Sequence, residues 1–477
     1  MSSAPVAHVL VFPHPAQGHM IPLLDHAHQL SARGLSITVL VTPKNLPILD
    51  PLLSKSPSIQ TLIFPLPSHP TIPPGVENLK DLPPTSSTAA IVRALSELRN
   101  PIIHWFRSHP SPPVAIISDF FLGWTDGLAR QLGIPRIVFY SSGALAVAVV
   151  NDLFAANMRR EGTVVSLPDV PGSPALKYLH LPTIYRRSME FAPASEDWAF
   201  VRDCMIANTT SWGAIYNTFA ALEHTYLEHA SKRAGHVWAV GPLILDGVGP
   251  AGRGGTSSLA AGDVMAWLGG CPEGSVVYVS FGSEVLLNQQ QTDAIAAGLE
   301  ASGARFIWTV KIPTSGHVAG DYGTIPGGFE ERVAGRGRVI RGWAPQVEIL
   351  EHPATGAFVT HCGWNSTLEG ISAGVVLLAW PMGAEQFVNA RLLVEETGLA
   401  VRVGEGSDSV PDPVELARVL AESVGGTGSA RARAKEMSKA AWDAVKEGGS
   451  SFRDLDELVT EISALTPNSE KEITFER

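Results

Sequence analysis

The feature that most constrains the fold of this chain is a strand pattern that ends in a short turn and occurs once in each half. In the first half, the apolar run 7–12 leads into the turn 14–19, which reads HPAQGH, and a helical pattern follows. In the second half, the run 275–281 leads into a Gly/Ser turn at 282–283. Continuous apolar strands that alternate with helices are typical of parallel sheets covered on both faces. The sequence therefore predicts two α/β domains.

Length and a glycine-rich stretch set the predicted domain boundaries. A chain of 477 residues exceeds what one core usually accommodates. Residues 246–262 are rich in glycine and offer little apolar surface, which is typical of a linker. We predict an N-terminal α/β domain over 1–245, this linker, a C-terminal α/β domain over 263–455, and a last helix and tail over 456–477. Because ligands bind at the carboxyl ends of strands in such folds, we expect a cleft between the two facing domains.

Two local predictions concern helices. The pattern from about 87 to 107 predicts one helix. Asp263 stands where the second domain begins and is a candidate N-cap, because its carboxylate can accept from the first backbone N–H groups of a helix.

Composition and charge narrow the range of partners and compartments. The formal net charge of −11 argues against nucleic acid or an anionic membrane as the partner. The three cysteines include no C-x-x-C pair, which favours a reducing compartment. The N-terminus lacks a basic segment typical of a signal peptide, and the apolar run 144–150 is far shorter than the roughly 20 residues of a membrane span. We expect a cytoplasmic protein without a transmembrane segment.

The stretch 343–386 carries the strongest candidate site. Within it, the apolar run 356–360 predicts a buried strand, and the turn at 361–363 leads into a helix that begins near Trp364. The first backbone N–H groups of a helix have no internal partners, and the helix dipole favours negative charge there. A phosphate can therefore bind at this turn without a metal.

The side chains around this turn can bind more than a phosphate. His361, Asn365 and Ser366 can all donate hydrogen bonds to phosphate oxygens. Glu369 lies one turn further along the same helix face, where its carboxylate can accept from a pair of sugar hydroxyls. Trp343 offers a flat ring on which a base can stack. The stretch therefore predicts a site for a nucleotide that carries a sugar.

Four short motifs in this stretch match one family in residue type and spacing. They are W-x-P-Q, H-C-G-W-N-S, E-G-x-x-x-G-V and W-P-x-x-x-E-Q. The stretch resembles the signature box of plant UDP-dependent glycosyltransferases of small secondary metabolites, which belong to family 1. The resemblance implies the GT-B fold, in which two facing Rossmann-like domains enclose a cleft and the last helix packs back on the N-terminal domain. It also implies that the first domain binds the acceptor and the second binds the UDP-sugar.

The resemblance assigns a role to each donor-side residue. It implies that Trp343 stacks on uracil, beside Ala344, and that Gln346 and Glu369 bind the ribose. The residues that it implies to face the diphosphate are Ser283, His361, Asn365 and Ser366. Those that it implies to bind the hydroxyls of the donor sugar are Trp364, Glu385 and Gln386. Each of these side chains has a structural alternative, such as a core tryptophan or a solvated helix carboxylate. Glu385 stands where many members carry aspartate, and Gln386 in place of histidine favours glucose as the sugar.

A base for the acceptor hydroxyl is expected in the first domain. His19 lies in the turn after the first strand, and the unperturbed pKa of histidine lies near working pH. His14 is its nearest rival, whereas we expect His26 and His28 on the helix surface. Asp119 ends a buried strand, where it either caps a turn or holds an imidazole N–H. The resemblance assigns His19 as the catalytic base and Asp119 as its partner.

The resemblance implies an inverting hexosyl transfer from a UDP-sugar to a hydroxyl of a small phenolic acceptor such as a flavonoid. We expect a monomer that needs no metal or other cofactor. The acceptor pocket is expected near His14, Phe120 and Phe121, with a lid of undefined structure over residues 160–200.

Other functions remain open or are disfavoured. C-glycosylation, use of xylose or rhamnose, and a non-catalytic nucleotide-sugar binding protein remain open. No G-x-G-x-x-G follows a predicted strand and no G-x-S-x-G occurs, which disfavours a nicotinamide oxidoreductase and a serine hydrolase. The D-x-D at 454–456 lies in the terminal helix, which disfavours a metal-dependent sugar transferase.

Overall fold

The structure is a computed structural model that divides into two units. It describes residues 6–83, 86–156, 163–243, 258–283, 285–312, 322–425 and 428–465. Unit 1 consists of the described residues within Met1–Tyr178, Ile184–Leu245 and Ala444–Arg477. Unit 2 consists of those within Leu179–Thr183 and Asp246–Asp443. The predicted linker lies largely outside the described residues. The structure places the second division between 443 and 444, whereas the sequence predicted it between 455 and 456.

Unit 1 is built on a parallel sheet. Its strands are β1 (His8–Phe12), β2 (Ser36–Val41), β3 (Gln60–Ile63), β4 (Ala115–Asp119), β5 (Arg136–Tyr140), β6 (Val164–Ser166), β7 (Ala175–Lys177), β8 (Gly213–Tyr216) and β9 (Val237–Ala239). Among the described residues, seven of them form one sheet in the order β3-β2-β1-β4-β5-β8-β9, and every pairing is parallel. The short strands β6 and β7 pair antiparallel with each other.

Helices cover this sheet. They are α1 (Gln17–Ala32), α2 (Asp50–Lys55), α3 (Thr88–Ser96), α4 (Arg99–Ser108), α5 (Thr125–Leu132), α6 (Ala144–Ala156), α7 (Thr183–Phe191), α8 (Glu196–Ala207) and α9 (Ala220–Ser231). The prediction of one helix over 87–107 is wrong, because the chain forms α3 and α4 with a break at 97–98. Pro101 lies in the first turn of α4, where a missing N–H costs no hydrogen bond. The predicted lid over 160–200 contains β6, β7, α7 and the start of α8.

The last helix of the chain completes the core of unit 1. After α17 (Ser429–Val445), helix α18 (Ser450–Ala464) buries Leu455, Leu458 and Ile462 in the same apolar cluster as the strands β1, β2 and β4. The carboxylate of Asp454 accepts a hydrogen bond from the backbone N–H of Ala239 in β9 at 2.8 Å. The first aspartate of the D-x-D therefore has a structural partner.

Unit 2 repeats the parallel design. Its strands are β10 (Val276–Ser280), β11 (Arg305–Val310), β12 (Gly337–Arg341), β13 (Thr355–Thr360), β14 (Val376–Ala379) and β15 (Ala400–Arg402). Within the described ranges they form a six-stranded parallel sheet in the order β12-β11-β10-β13-β14-β15. The prediction of two parallel α/β domains is thereby confirmed.

Unit 2 contains seven α-helices and most of an eighth within the described residues, and the N-termini of two of them differ in their capping. The helices are α10 (Ala261–Gly269), α11 (Gln289–Ser302), α12 (Phe329–Arg332), α13 (Gln346–Glu351), α14 (Trp364–Ala373), α15 (Gln386–Arg391) and α16 (Pro413–Ser423), with most of α17. Asn288 and Gln291 form a reciprocal capping box at α11. The prediction that Asp263 caps a helix is wrong, because α10 already begins at Ala261 and Asp263 lies in its first turn. In the part of the chain that the structure describes, no helix is both long and apolar enough to span a bilayer.

Candidate active site

A histidine and an aspartate from two neighbouring segments of unit 1 lie within hydrogen-bond distance of each other. His19 Nδ1 lies 2.9 Å from Asp119 Oδ2. The Asp119 side chain is fully buried, whereas the His19 side chain is 20% exposed. The buried carboxylate can therefore fix the orientation of the imidazole ring, while part of the histidine side chain remains exposed to solvent. This places the two residues predicted as base and partner within hydrogen-bond distance of each other.

The parallel sheet explains why residues so far apart in sequence meet. Strands β1 and β4 are direct neighbours, with Phe12 paired to Ser118. Both strands therefore end at the same edge of the sheet. The turn after β1 leads into α1, which carries His19 in its first turn, and Asp119 is the last residue of β4. Adjacent strand ends thus bring the pair together.

Both predicted roles of Asp119 occur at once. While Oδ2 faces the imidazole, Oδ1 accepts a hydrogen bond from the backbone N–H of Phe121 at 2.9 Å and caps a short 3₁₀ turn. The buried guanidinium of Arg136 donates to the Asp119 carbonyl oxygen at 3.3 Å and to Ser118 Oγ at 2.9 Å. Burial lowers the pKa of Arg136 from its usual value. Both carboxylate oxygens of Asp119 and its backbone carbonyl oxygen therefore have hydrogen-bonding contacts that fix the residue.

Ser141 is a contact of His19 that the sequence analysis missed. Its Oγ lies 3.3 Å from His19 Nδ1, the same nitrogen that faces Asp119. Ser141 directly follows β5, the neighbour of β4, so it stands at the same sheet edge as Asp119. A polar residue at the end of a neighbouring strand is the signal that could have identified it.

A buried glutamate holds the segment that carries Ser141. The two oxygens of Glu223 accept from the backbone N–H groups of Ala144 at 2.8 Å and Leu145 at 2.9 Å, at the start of α6. A carboxylate is favourable there because it meets unpaired N–H groups and the positive end of the helix dipole. Glu223 is 1% exposed. It fixes the start of α6, and therefore the position of Ser141 just before it.

An aromatic cluster surrounds His19 and contains the predicted acceptor residues. The His19 ring centroid lies 5.3 Å from that of Phe120, 5.1 Å from that of Phe121 and 5.3 Å from that of His14. His14 stacks on Phe121 at 4.9 Å. The two phenylalanines are half-buried, whereas His14 is fully buried. An acceptor would therefore meet Phe120 and Phe121 before His14.

Burial also keeps His14 neutral. Burial, with a smaller contribution from the neighbouring His19, lowers the pKa of His14 to about 3, while Asp119 opposes the shift. Within the described residues neither ring nitrogen of His14 has a hydrogen-bond partner. His14 thus contributes an uncharged and fully buried ring to the cluster at neutral pH.

The prediction that His26 lies on the helix surface is wrong. The ring is fully buried and stacks on Phe139 of β5 at 5.6 Å. Burial lowers the pKa of His26 to about 3. His28 is partly exposed, and its Nδ1 lies 2.7 Å from Ser56 Oγ. The helical spacing places His26 on the face of α1 that packs on the sheet, where a charged ring would be costly.

In unit 2, two glycines pack against His361. A Cβ atom at Gly282 would lie 2.7 Å from the His361 ring, and one at Gly363 would lie 2.4 Å from its Nε2. Gly282 also has a φ of +75°. Only glycine therefore fits at either position without displacing the imidazole. The Gly/Ser turn after β10 and the turn after β13 thus meet at this ring, as expected for neighbouring parallel strands.

The His361 imidazole carries no charge in this setting. Burial lowers its pKa to about 4, so the imidazole is neutral at pH 7. The following residue, Cys362, has a φ of 64°, which is unusual for a residue with a side chain. Its backbone N–H donates to Thr360 Oγ1 at 3.1 Å, and Asn389 Nδ2 donates to its carbonyl oxygen at 3.0 Å. These bonds hold the turn in its strained conformation.

Three of the predicted donor residues form one polar group. Gln346 Nε2 donates to Glu369 Oε2 at 2.7 Å and to Ser366 Oγ at 2.9 Å. The other end of the Gln346 amide accepts from the hydroxyl of Tyr278 in β10 at 3.3 Å. The first residue of α13 is thereby fixed against α14. Tyr278 is a second residue that sequence reasoning missed, since it lies in the middle of an apolar strand.

Five further predicted donor residues lie at or near the ends of strands or helices of unit 2. Trp364 and Asn365 are the first two residues of α14, immediately after the turn at Gly363. Trp343 is half-buried, Ala344 is buried and Ser283 is exposed. Trp343 and Ala344 lie between β12 and α13, and Ser283 follows β10. Because β12 and β10 belong to one parallel sheet, both strands end at the same edge of it.

The last two predicted donor residues follow the loop after β14. Gln386 Oε1 accepts from the backbone N–H groups of Met382 and Gly383, both at 2.9 Å. Glu385 Oε1 accepts from Asn389 Nδ2 at 3.3 Å. The oxygen of Gln386 therefore closes its own loop, which orients the amide nitrogen of the same side chain.

Comparison with known proteins extends over nearly the whole chain. Residues 261–413 match the family described as UDP-glucoronosyl and UDP-glucosyl transferase. Over 472 residues the chain is 50% identical to the flavonol 3-O-glucosyltransferase UGT89B1 of Arabidopsis thaliana, and the match covers 97% of each chain. It is 42% identical over 468 residues to a flavonol 7-O-rhamnosyltransferase of the same plant, covering 95% of this chain and 98% of the other.

Solved structures agree with these sequence matches. The crystal structure of Arabidopsis thaliana UGT89C1 complexed with UDP-L-rhamnose matches with a TM-score of 0.79 at 41% identity, covering 96% of this chain and 100% of that chain. The same protein complexed with quercetin matches with a TM-score of 0.77 at 40% identity and the same coverage.

Proposed function

The chain belongs to the plant family 1 UDP-glycosyltransferases, and from this premise we propose that it transfers a sugar, preferably glucose, from a UDP-sugar to a hydroxyl of a flavonoid, with inversion at the anomeric carbon. The observation that carries the proposal is the pair of His19 Nδ1 and Asp119 Oδ2 at 2.9 Å. A UDP-glycosyltransferase needs a base for its acceptor, and this pair supplies one.

The geometry of the pair defines the proposed proton transfer. Because Nδ1 of His19 faces a carboxylate, it carries the ring proton, and Nε2 keeps the basic lone pair. Nε2 takes the proton of the acceptor hydroxyl as its oxygen forms a bond to the anomeric carbon. The bond from that carbon to the phosphate oxygen breaks on the opposite face, and UDP leaves with the electron pair. Asp119 stabilises the imidazolium that forms.

The donor-side residues of unit 2 suit the leaving group. The N-terminus of α14, where the helix dipole favours negative charge, suits a diphosphate, and His361 is neutral, so its ring can bind phosphate oxygens as an uncharged donor. Glu369, held by Gln346, can accept from ribose hydroxyls. Backbone and neutral donors together provide charge stabilisation of the kind that a metal supplies elsewhere, which supports a metal-free reaction.

Aromatic side chains support a flat phenolic acceptor. Phe120 and Phe121 lie beside the catalytic ring and are half-buried, so a planar ring system can pack on them next to His19. The similarity to a flavonol 3-O-glucosyltransferase supports a flavonoid and transfer to oxygen. One chain carries both groups of residues, which supports activity as a monomer, and the reducing environment inferred from the cysteines supports the cytoplasm.

UDP-rhamnose is a second candidate donor. The similarity to a flavonol 7-O-rhamnosyltransferase, and to a structure complexed with UDP-L-rhamnose, supports testing it. Gln386 at the end of the donor stretch supports glucose instead, because in the resembled family glutamine rather than histidine at that position favours glucose.

The proposed reaction is tested by combining each of several UDP-sugars with each of several phenolic acceptors. The purified protein is incubated with UDP-glucose, UDP-rhamnose or UDP-xylose and with quercetin or another phenol, with and without a chelator, and the products are identified by mass spectrometry and NMR. We expect a β-O-glucoside of the flavonol from UDP-glucose, formed at an equal rate with the chelator. UDP release without a glycosylated acceptor, or a C-linked product, would contradict the proposal.

A further inference from the structure

A short segment from the first half of the chain packs into unit 2. The chain leaves unit 1 after Tyr178 and returns to it at Ile184, and residues 179–183 belong to unit 2. We call these five residues the 179–183 strap. The proposed donor-sugar residues Glu385 and Gln386 also lie in unit 2, where the loop after β14 enters α15, and we call this segment, residues 384–387, the loop.

Two independent contacts join the strap to this loop. The ring of His180 stacks on that of Phe387, with centroids 4.3 Å apart and an angle of 7° between the planes. The backbone N–H of Thr183 donates to the carbonyl oxygen of Ala384 at 3.1 Å. Phe387 directly follows Gln386, and Ala384 directly precedes Glu385. The strap therefore holds the residue on each side of the donor-sugar pair.

Further contacts fix both the strap and the loop. His180 Nε2 lies 3.3 Å from Glu405 Oε1, and the other oxygen of Glu405 accepts from Arg402 at 2.7 Å. The imidazole is thus held at its face and at its edge. Ala384 has a φ of 48°, a conformation that a residue with a side chain adopts only when its surroundings enforce it. The bond from Thr183 to the Ala384 carbonyl is one such restraint.

We propose that the 179–183 strap positions Glu385 and Gln386 and thereby sets the affinity and selectivity for the sugar part of the donor. The inference rests on the proposed function. His180 and Thr183 act through the loop, so they are positioning residues and not catalytic ones. UDP alone lacks the sugar, and its binding therefore does not depend on the strap.

The test compares the binding of UDP-glucose with that of UDP. His180→Ala removes both ring contacts, and isothermal titration is expected to give a Kd for UDP-glucose about fivefold to tenfold above wild type, with the Kd for UDP changed by less than about twofold. His180→Phe keeps the stacking and is expected to restore most of the affinity. Leu179→Ala, at a 68% exposed neighbour on the strap, is the matched control and is expected to bind both ligands as wild type does.

A second variant tests the backbone contact. Thr183→Pro removes the N–H that binds Ala384, and proline is tolerated at this position because Thr183 is the first residue of α7. We expect it to weaken UDP-glucose and not UDP, and to reduce the preference for UDP-glucose over UDP-rhamnose in kcat/KM.

Each outcome of the test is decisive. An unchanged UDP-glucose Kd in both His180→Ala and Thr183→Pro, or an equal loss of UDP and UDP-glucose binding, would overturn the role of the strap while leaving the proposed function intact. If the wild-type protein itself binds no UDP-sugar, the proposed function fails first and this inference fails with it.

Discussion

The two units assemble their candidate sites in different ways. In unit 2, nearly all the donor-side residues lie in the continuous stretch 343–386, where their spacing alone suggests a nucleotide-sugar site. In unit 1, His19 and Asp119 lie 100 positions apart and meet only because β1 and β4 are neighbours. A local motif therefore contains the proposed donor site, whereas the proposed base and its partner meet only through the topology of a sheet.

The two sites also differ in their electrostatics. The site in unit 1 contains a fully buried carboxylate beside a partly exposed imidazole, so that charge can form and be stabilised there. The site in unit 2 uses a neutral His361, a helix N-terminus and hydrogen-bonded amides. This contrast matches a division of work in which one unit moves a proton and the other binds a charged leaving group.

The largest expected effect follows from removing the proposed base. His19→Ala should lower kcat for quercetin glucosylation by about 10² to 10⁴, because a positioned base contributes that factor. Initial rates at saturating donor measure it, and titration with UDP-glucose should give a wild-type Kd. If turnover stays near normal, the division between the two units breaks down.

On the donor side we expect a change in the Kd for UDP rather than in kcat. Glu369→Gln removes the charge of a carboxylate that accepts a hydrogen bond from Gln346 and is proposed to accept from the ribose hydroxyls. Because hydrogen bonds to charged groups are the strongest, the Kd for UDP should rise about tenfold or more. Titration with UDP measures the Kd. A fall in kcat at saturating donor, with an unchanged Kd for UDP, would place Glu369 in the chemical step instead.

A smaller effect is expected at Ser141. Its Oγ accepts more strongly from an imidazolium than from a neutral imidazole, so Ser141→Ala should lower kcat/KM about threefold to tenfold and move the acid limb of the pH–rate profile to lower pH. The profile of kcat/KM against pH is the measurement, and Ser142→Ala is the matched control. A uniform loss at every pH would indicate a structural role only.

The smallest effect concerns stability. The pKa of His26 is lowered from 6.5 to about 3, so below pH 6.5 the unfolded chain binds a proton that the folded chain does not, and stability falls as the pH falls through this window. His26→Phe keeps a ring against Phe139 and should remove about 1.4 kcal/mol of this loss per pH unit. Urea unfolding at about pH 7 and about pH 5 measures it, with exposed His104→Phe as the control. An unchanged acid sensitivity would contradict the burial of His26 as a neutral ring.

The sequence predicted what depends on pattern and short-range spacing. The two parallel α/β units follow from apolar runs. Ser366 and Glu369 both contact the Gln346 side chain, as expected for two residues on one face of α14, and the family resemblance had already grouped Gln346 with Glu369. The structure also brings His19 to Asp119, although local sequence left several histidines as rivals.

The sequence did not reveal what depends on packing between distant segments. Ser141 and Glu223 act through tertiary contacts that no spacing encodes. His26 was expected on the helix surface, whereas its ring is buried against Phe139, stays neutral and, among the residues that the structure describes, has no hydrogen-bond partner. The single helix predicted over 87–107 failed because a break at 97–98 leaves the apolar spacing almost intact.

The most direct test of the central claim, that His19 and Asp119 act as one unit, is a double-mutant cycle on kcat/KM. Asp119→Asn keeps an oxygen for the N–H of Phe121 but no longer accepts the ring proton of His19. It should cost about 10² or more in the wild-type background and less than about twofold in the His19→Ala background. Losses that multiply across the two backgrounds would show that Asp119 acts independently of His19 and would contradict the account.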